Sequence, residues 1–170
     1  MKYILVLVLF ISLVDSWAQE PKKGDYVTDT ALDKFAGTWQ GTQGGQSLKL
    51  VLKKEKVYFK GFDYSRDLLI GWHELTINGQ VVESTLSFAG GPYDKNVTIL
   101  GSSEGQVQVN LTTFRDLSRE RNHAGTLLLQ DPNVIRLTLR LTEHVILNKK
   151  KQDPVNALTV PGEWILKKVD

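Results

Sequence analysis

Val134-Ile135-Arg136-Leu137-Thr138-Leu139-Arg140-Leu141-Thr142 alternates apolar and polar residues without a break. Successive side chains of a strand point to opposite faces, so Ile135, Leu137, Leu139 and Leu141 share one side and the arginines and threonines the other. The segment reads as a strand with one buried face and one wet face. Val107, Val109 and Leu111 repeat the pattern against Gln108, Asn110 and Thr112, and Leu48, Leu50 and Leu52 repeat it within residues 47–54. One-sided strands of this kind pair antiparallel, because parallel strands covered on both faces read as continuous apolar runs.

Turn residues punctuate the runs between these strands. Gly44-Gly45 ends a first hairpin, and Asn78-Gly79 joins residues 66–77 to residues 80–88. Asn and Gly both accept the positive φ of a type I′ turn, which makes that pair a strong hairpin signal. Gly90-Gly91-Pro92 closes that unit, Asp131-Pro132-Asn133 leads into the strand quoted above, and a final strand spans residues 164–169. Leu32, Phe35 and Ala36 fall at helical spacing for one turn just before Gly37-Thr38-Trp39. Eight or nine strands and no long helical period predict an all-β protein, an antiparallel up-and-down barrel of eight to nine strands preceded by a short helical turn. Short connections favour the barrel over a sandwich, and closure leaves an interior wide enough for packed side chains or one small ligand.

The start of the chain reads differently. Lys2, an apolar run over residues 3–14 and Ser16-Trp17-Ala18 form a secretory signal peptide, with cleavage expected near Ala18. The run is too short to cross a hydrocarbon core that needs about 20 helical residues, so no membrane span is expected. The organisation that follows is a signal peptide over 1–18, a flexible polar leader over 19–30 and one barrel domain over 31–170, secreted or periplasmic and expected to be a monomer. Zero cysteines exclude a disulfide framework and the acceptor thiol of a lipid anchor. Lys and Arg total 21 against 19 Asp and Glu, a formal charge of +2, too balanced to imply nucleic acid as a partner.

Gly37-Thr38-Trp39 after a helical turn resembles the G-x-W entry of lipocalins and related calycin barrels. In those proteins the Trp plugs the closed end, so the resemblance implies Trp39 as the structural barrel floor. Residues 32–39 (LDKFAGTW), 47–55, 64–69 (YSRDLL) and 82–85 (VEST), with the closing stretch 163–168 (EWILKK), resemble a family of small exported bacterial proteins of unknown function with a lipocalin-like fold. That resemblance covers the first half well and the second half loosely, and it implies fold and export without supplying a site. Members of the family often carry cysteines in the second half; this chain has none.

No motif carries an obvious chemistry. His73, His123 and His144 lie at spacings that make no local metal site, and no thiols are present, so no metal or cofactor is expected. No G-x-S-x-G occurs, and Gly41 to Gly45 lies between strands as a hairpin tip rather than a phosphate cradle. Asp63 with Asp67, and Asp116 with Glu120, lie beside arginines and read as exposed ion pairs rather than an acid/base couple. Residues 115–123 (RDLSRERNH) read as a solvated loop whose alternating signs cancel. No catalytic residue is therefore assigned, and an enzyme is not expected.

The expectation for function is a binding module. Trp72, Phe88 and Phe114 would line an apolar cup for a small hydrophobic or amphipathic ligand if all three pointed inward near an open end. The alternative is a filled barrel that engages a protein or the cell envelope through residues 115–123 and 149–151.

Overall fold

The computed structural model describes residues 20–141 and 159–169. The expected signal peptide and the triple lysine at 149–151 lie outside the described residues. Among the described residues ten strands run in the order β1 (Tyr26–Val27), β2 (Gly37–Gln43), β3 (Gln46–Phe59), β4 (Tyr64–Ile77), β5 (Gln80–Ser84), β6 (Ile99–Glu104), β7 (Gln108–Asp116), β8 (Arg121–Asp131), β9 (Val134–Leu141) and β10 (Glu163–Val169). Eight of them close a ring: β2 pairs with β3, β3 with β4, β4 with β6, and β6 through β10 pair in succession until β10 returns to β2. Every contact in the ring is antiparallel. The closed all-β barrel expected from the alternation is thus the observed architecture, with β1 and β5 lying outside the ring on β4.

The alternation sorts the side chains as the pleat requires. Leu48, Leu50, Leu52, Leu69, Leu75, Val109, Leu111, Leu127, Ile135, Leu137, Leu139 and Leu166 form one buried interior cluster with Trp39, Phe114 and Trp164. Asn78 and Gly79 take φ of 49° and 80°, the positive pair that a two-residue hairpin turn demands. At Gly41 and Gly125 the backbones approach so closely that a Cβ would strike the carbonyl oxygens of Ile165 and Thr138 respectively. These two positions admit no side chain, and they let neighbouring leucines lie across the strand.

One end of the ring is a floor. A 3-10 turn over Thr30–Lys34 is capped by Asp29, whose carboxylate accepts the Ala31 N–H at 3.1 Å. It delivers Leu32 and Phe35 under the barrel, and the Phe35 carbonyl accepts the Trp39 Nε1–H at 2.8 Å. Lys168 lies over the Trp39 ring, 5.2 Å from its centroid, and closes the floor from β10.

Two expectations change. The leader is not free through Thr30: Tyr26 and Val27 pair parallel to Ser65 and Arg66, and Asp67 accepts both the Tyr26 hydroxyl at 2.6 Å and the Asp29 N–H at 2.9 Å. A buried carboxylate demands donors, and the leader supplies them. The strand expected over 80–88 stops at Ser84 and passes into a 3-10 turn over Leu86–Phe88.

Replacing Trp39 by Ala is expected to cost about 3–5 kcal/mol in urea unfolding, the range for emptying a large buried site. Gly125→Val is expected to destabilise the chain by at least about 1–3 kcal/mol, because its Cβ meets backbone rather than a side chain that can swing away.

Candidate functional site

The three residues expected to line a cup do not meet. Phe114 is fully buried in the interior cluster. Trp72 points the other way: it packs with Ile70, Val97, Val51, Leu86, Ala89 and Leu100 in a second cluster on the outer face of β4. That cluster is roofed by the connection between β5 and β6. Phe88 belongs to the connection itself and remains 48% exposed. Trp39 is fully buried, with its Nε1–H on the Phe35 carbonyl.

The interior is occupied from floor to mouth. Trp39, Leu48, Leu50, Leu69, Leu75, Val109, Phe114, Leu127, Ile135, Leu137 and Leu166 each keep 0% of their accessible surface. A side chain that walled a water-sized void would retain some, so these residues fill the ring by mutual contact. A shallow open depression of about 450 Å³ lies outside it, between the β2–β3 and β4–β5 turns, lined by Thr42, Gln43, Gln46, Ser47, Thr76 and neighbouring glycines.

At the mouth, opposite the floor, sequence-distant polar groups converge. β4 changes partner there, from β6 at Leu69 to Gly71 to β5 at Glu74 to Ile77, and His73 faces inward at the change. Its Nδ1 lies 2.9 Å from Thr98 Oγ1 and its Nε2 lies 2.8 Å from Glu83 Oε1, while its ring packs 4.8 Å from Phe114. Glu83 Oε2 accepts the N–H and hydroxyl of Ser118 at 2.9 and 2.8 Å. Burial pushes the Glu83 carboxyl up, but the hydrogen bonds from His73 and Ser118 outweigh it and hold it below the usual carboxylate range.

Thr98, His73 and Glu83 are connected in the order hydroxyl, imidazole, carboxylate, the order of a nucleophile relay. All three are buried, at 1%, 0% and 6% exposure, and Thr98 is further enclosed by Thr85 and the Gly71 carbonyl. The arrangement joins β4, β5, the β5–β6 connection and, through Ser118, the β7–β8 turn as a clasp. Asp116 and His123 continue it: Asp116 accepts the N–H groups of Arg119 and Thr159, each at 3.0 Å, and lies 3.8 Å from His123 Nε2. His123 is 2% exposed, neither ring nitrogen has a hydrogen-bond partner among the described residues, and burial depresses its pKa despite the nearby Asp116.

The carboxylates expected as exposed ion pairs are therefore placed otherwise. Asp67 and Asp116 are buried and serve backbone N–H groups, and Asp63 pairs with Lys23 at 3.1 Å rather than with Arg66. Residues 115–123 are no solvated loop either, since Arg115 reaches the Lys95 carbonyl and Arg119 Nε the Thr159 hydroxyl. Among the described residues, no group of three or more His, Asp or Glu is placed to hold a metal ion, and no helix is long and apolar enough to cross a membrane.

A second feature exposed to solvent lies below the floor. β2 pairs with β3 only as far as Leu52, so residues 53–59 and 64–70 continue downward, mostly beyond the ring, as a two-stranded ribbon flanked by β1. Its tip carries Phe59 stacked on Tyr64 at 5.4 Å and Phe62, 74% exposed, at 6.2 Å from Tyr64. The sequence showed these aromatics without the ribbon that projects them.

A family model described as "Family of unknown function (DUF6705)" matches residues 1–169. No curated protein and no solved structure matches the chain.

The clasp makes stability pH-dependent in two windows. His123 has a folded pKa below its unfolded value of about 6.5, so the unfolded chain takes up a proton that the folded chain rejects, and stability falls as pH drops below about 6.5. The Glu83 contribution is present above about pH 4.3 and is lost as pH falls through its lower folded value. Thermal unfolding across a pH series is expected to show His123→Leu with a flatter profile between about pH 7 and pH 5 and an unchanged loss below about pH 4.

Proposed function

The chain belongs to that family of unknown function, and from its geometry we propose that it is an exported, non-enzymatic interaction module: a filled, lipocalin-like barrel that works through its outer surface, secreted or periplasmic after cleavage near Ala18. The observation that carries the reading is an interior whose side chains, contributed by all eight ring strands, keep between 0% and 5% of their accessible surface. Holding a drug-sized ligand takes a cavity of a few hundred Å³, and opening one here would separate large side chains at several kcal/mol each. The buried polar cluster at the mouth supports the same reading, because His73, Thr98, Glu83 and Asp116 are spent on joining elements of the fold. The rigid ring then acts as a platform, and recognition falls to the segments that leave it.

Native mass spectrometry of the chain purified from its own source, together with titration of an apolar fluorescent dye, tests this. A bare polypeptide mass and no saturable rise in fluorescence are expected. A retained small molecule, or saturable dye uptake by the folded chain, would overturn the filled barrel in favour of a ligand carrier.

A further inference from the structure

We propose that residues 159–162 form an acid-released strap at the mouth, held shut by the Asp116 carboxylate while His123 is neutral and let go when His123 takes up a proton and draws that carboxylate to itself. The inference goes beyond the interaction-module reading and does not depend on what the outer surface binds.

Thr159-Val160-Pro161-Gly162 leads into β10 at the mouth end of the ring. Val160 keeps 1% of its accessible surface and belongs to the interior cluster, so the strap seats an apolar side chain in the top of the barrel. Polar bonds hold it there. At the far end the Gly162 carbonyl accepts the Leu139 N–H at 2.7 Å and anchors the strap to β9. At the near end the Thr159 N–H donates to Asp116 Oδ2 and the Thr159 hydroxyl accepts from Arg119 Nε, each at 3.0 Å. The near end is thus latched to the end of β7 and its turn, and Asp116 is the centre of the latch.

Asp116 Oδ2 faces two claims. It accepts the Thr159 N–H, and it lies 3.8 Å from His123 Nε2, too far for a hydrogen bond. His123 is 2% exposed, and neither of its ring nitrogens has a hydrogen-bond partner among the described residues. Buried polar atoms left in that condition are rare. A proton turns both nitrogens into donors and gives the ring a charge that must be met. Of the charged groups acting on the ring among the described residues, Asp116 of β7 attracts the proton, while Arg121 of β8 and Arg119 of the β7–β8 turn repel it. The register partners of His123 on β7 and β9, Phe114 and Leu141, and Val160 of the strap carry no charge.

Meeting the charge costs the latch. Asp116 Oδ1 is held by the Arg119 N–H at 3.0 Å, so the carboxylate closes on His123 by pivoting about that bond, which carries Oδ2 off Thr159. The second ring donor then needs water, and the strap resting on the same carboxylate is the cover whose movement admits it. His123 therefore binds its proton more tightly with the strap open than shut, and opening takes a proton up. The sign follows: acid favours the open form, with the opening constant rising up to about tenfold per pH unit below the usual imidazole value of about 6.5.

Amide hydrogen exchange on the chain purified from its own source, corrected for intrinsic exchange at each pH, tests the strap. Between about pH 7 and about pH 5.5 the protection of the Thr159 amide is expected to fall about tenfold, while the ladder amides of Leu50 and Leu137 keep theirs. His123→Leu, and His123→Gln as a polar uncharged replacement, are expected to hold the Thr159 protection constant over the same range. Arg121→Gln removes a charge that opposes the proton and is expected to move the fall to higher pH, which keeps the inference testable should a His123 variant fail to fold. A Thr159 amide whose protection ignores pH, a fall shared equally by Leu50 and Leu137, a fall that persists in folded His123 variants, or no upward move in Arg121→Gln would each overturn the acid-released strap.

Discussion

Closure of β10 onto β2 is the constraint from which the rest follows. Thr38, Trp39 and Gln40 pair with Val169, Lys168 and Lys167, and once that seam is made no ring strand has a free long edge. The number of inward positions and the volume they must fill are then both set. An eight-stranded ring leaves space for side chains alone or for side chains and one small guest, and this sequence spends that space on three tryptophan- and phenylalanine-sized groups and a leucine-rich wall. Gly41 and Gly125 belong to the same solution: where two strands press together, the side chain is omitted so that the neighbouring leucine can complete the layer.

The two ends of the ring solve different problems. At the floor an apolar plug suffices, with one indole N–H needing one carbonyl, and Phe35 supplies it. At the mouth β4 must leave β6 for β5, and that break in the ladder exposes backbone groups that the ring cannot pair. Thr85 and Thr98 take over part of that pairing with His73 and Gly71, and Glu83 with Ser118 ties the excursion back to the β7–β8 turn. A buried network of this kind is stabilising only when its members are satisfied, which explains why Glu83 meets three hydrogen-bonding partner atoms and Asp116 two. His123, whose ring nitrogens find no hydrogen-bond partner among the described residues, has only the 3.8 Å approach of Asp116.

Alternation was legible in the sequence wherever one face is wet, and it failed where both are covered. Residues 134–141 declare their inward side because Arg136 and Arg140 cannot be core, whereas Leu68-Leu69-Ile70-Gly71-Trp72 has no polar member to set the phase. Its second face is hidden by the β5–β6 connection, so Trp72 could be read as interior when it belongs to the outer cluster. The clasp was illegible for another reason: its members lie 10, 25 and 35 residues apart in the pairs His73–Glu83, His73–Thr98 and Glu83–Ser118, and no local spacing marks them. The carboxylates beside arginines misled through proximity in sequence, since neighbours along a strand point to opposite faces and Asp67 looks toward Tyr26 while Arg66 does not.

A rigid ring also changes what an exposed side chain means. On a mobile loop an aromatic residue can fold back on its own chain and lose its surface, so its exposure carries little information. Here the ribbon is the continuation of two ring strands, braced by β1 and pinned through Asp67 and Lys54, and it cannot collapse without breaking ladder pairs down to Phe59 and Tyr64. The exposure of Phe62 is therefore a property the fold maintains against the hydrophobic effect. Phe62 is the most exposed of several large apolar side chains left in water, with Val81, Val107 and Phe88 on other parts of the surface, so the apolar area this fold leaves uncovered is spread over more than one face and is greatest per residue at the ribbon tip.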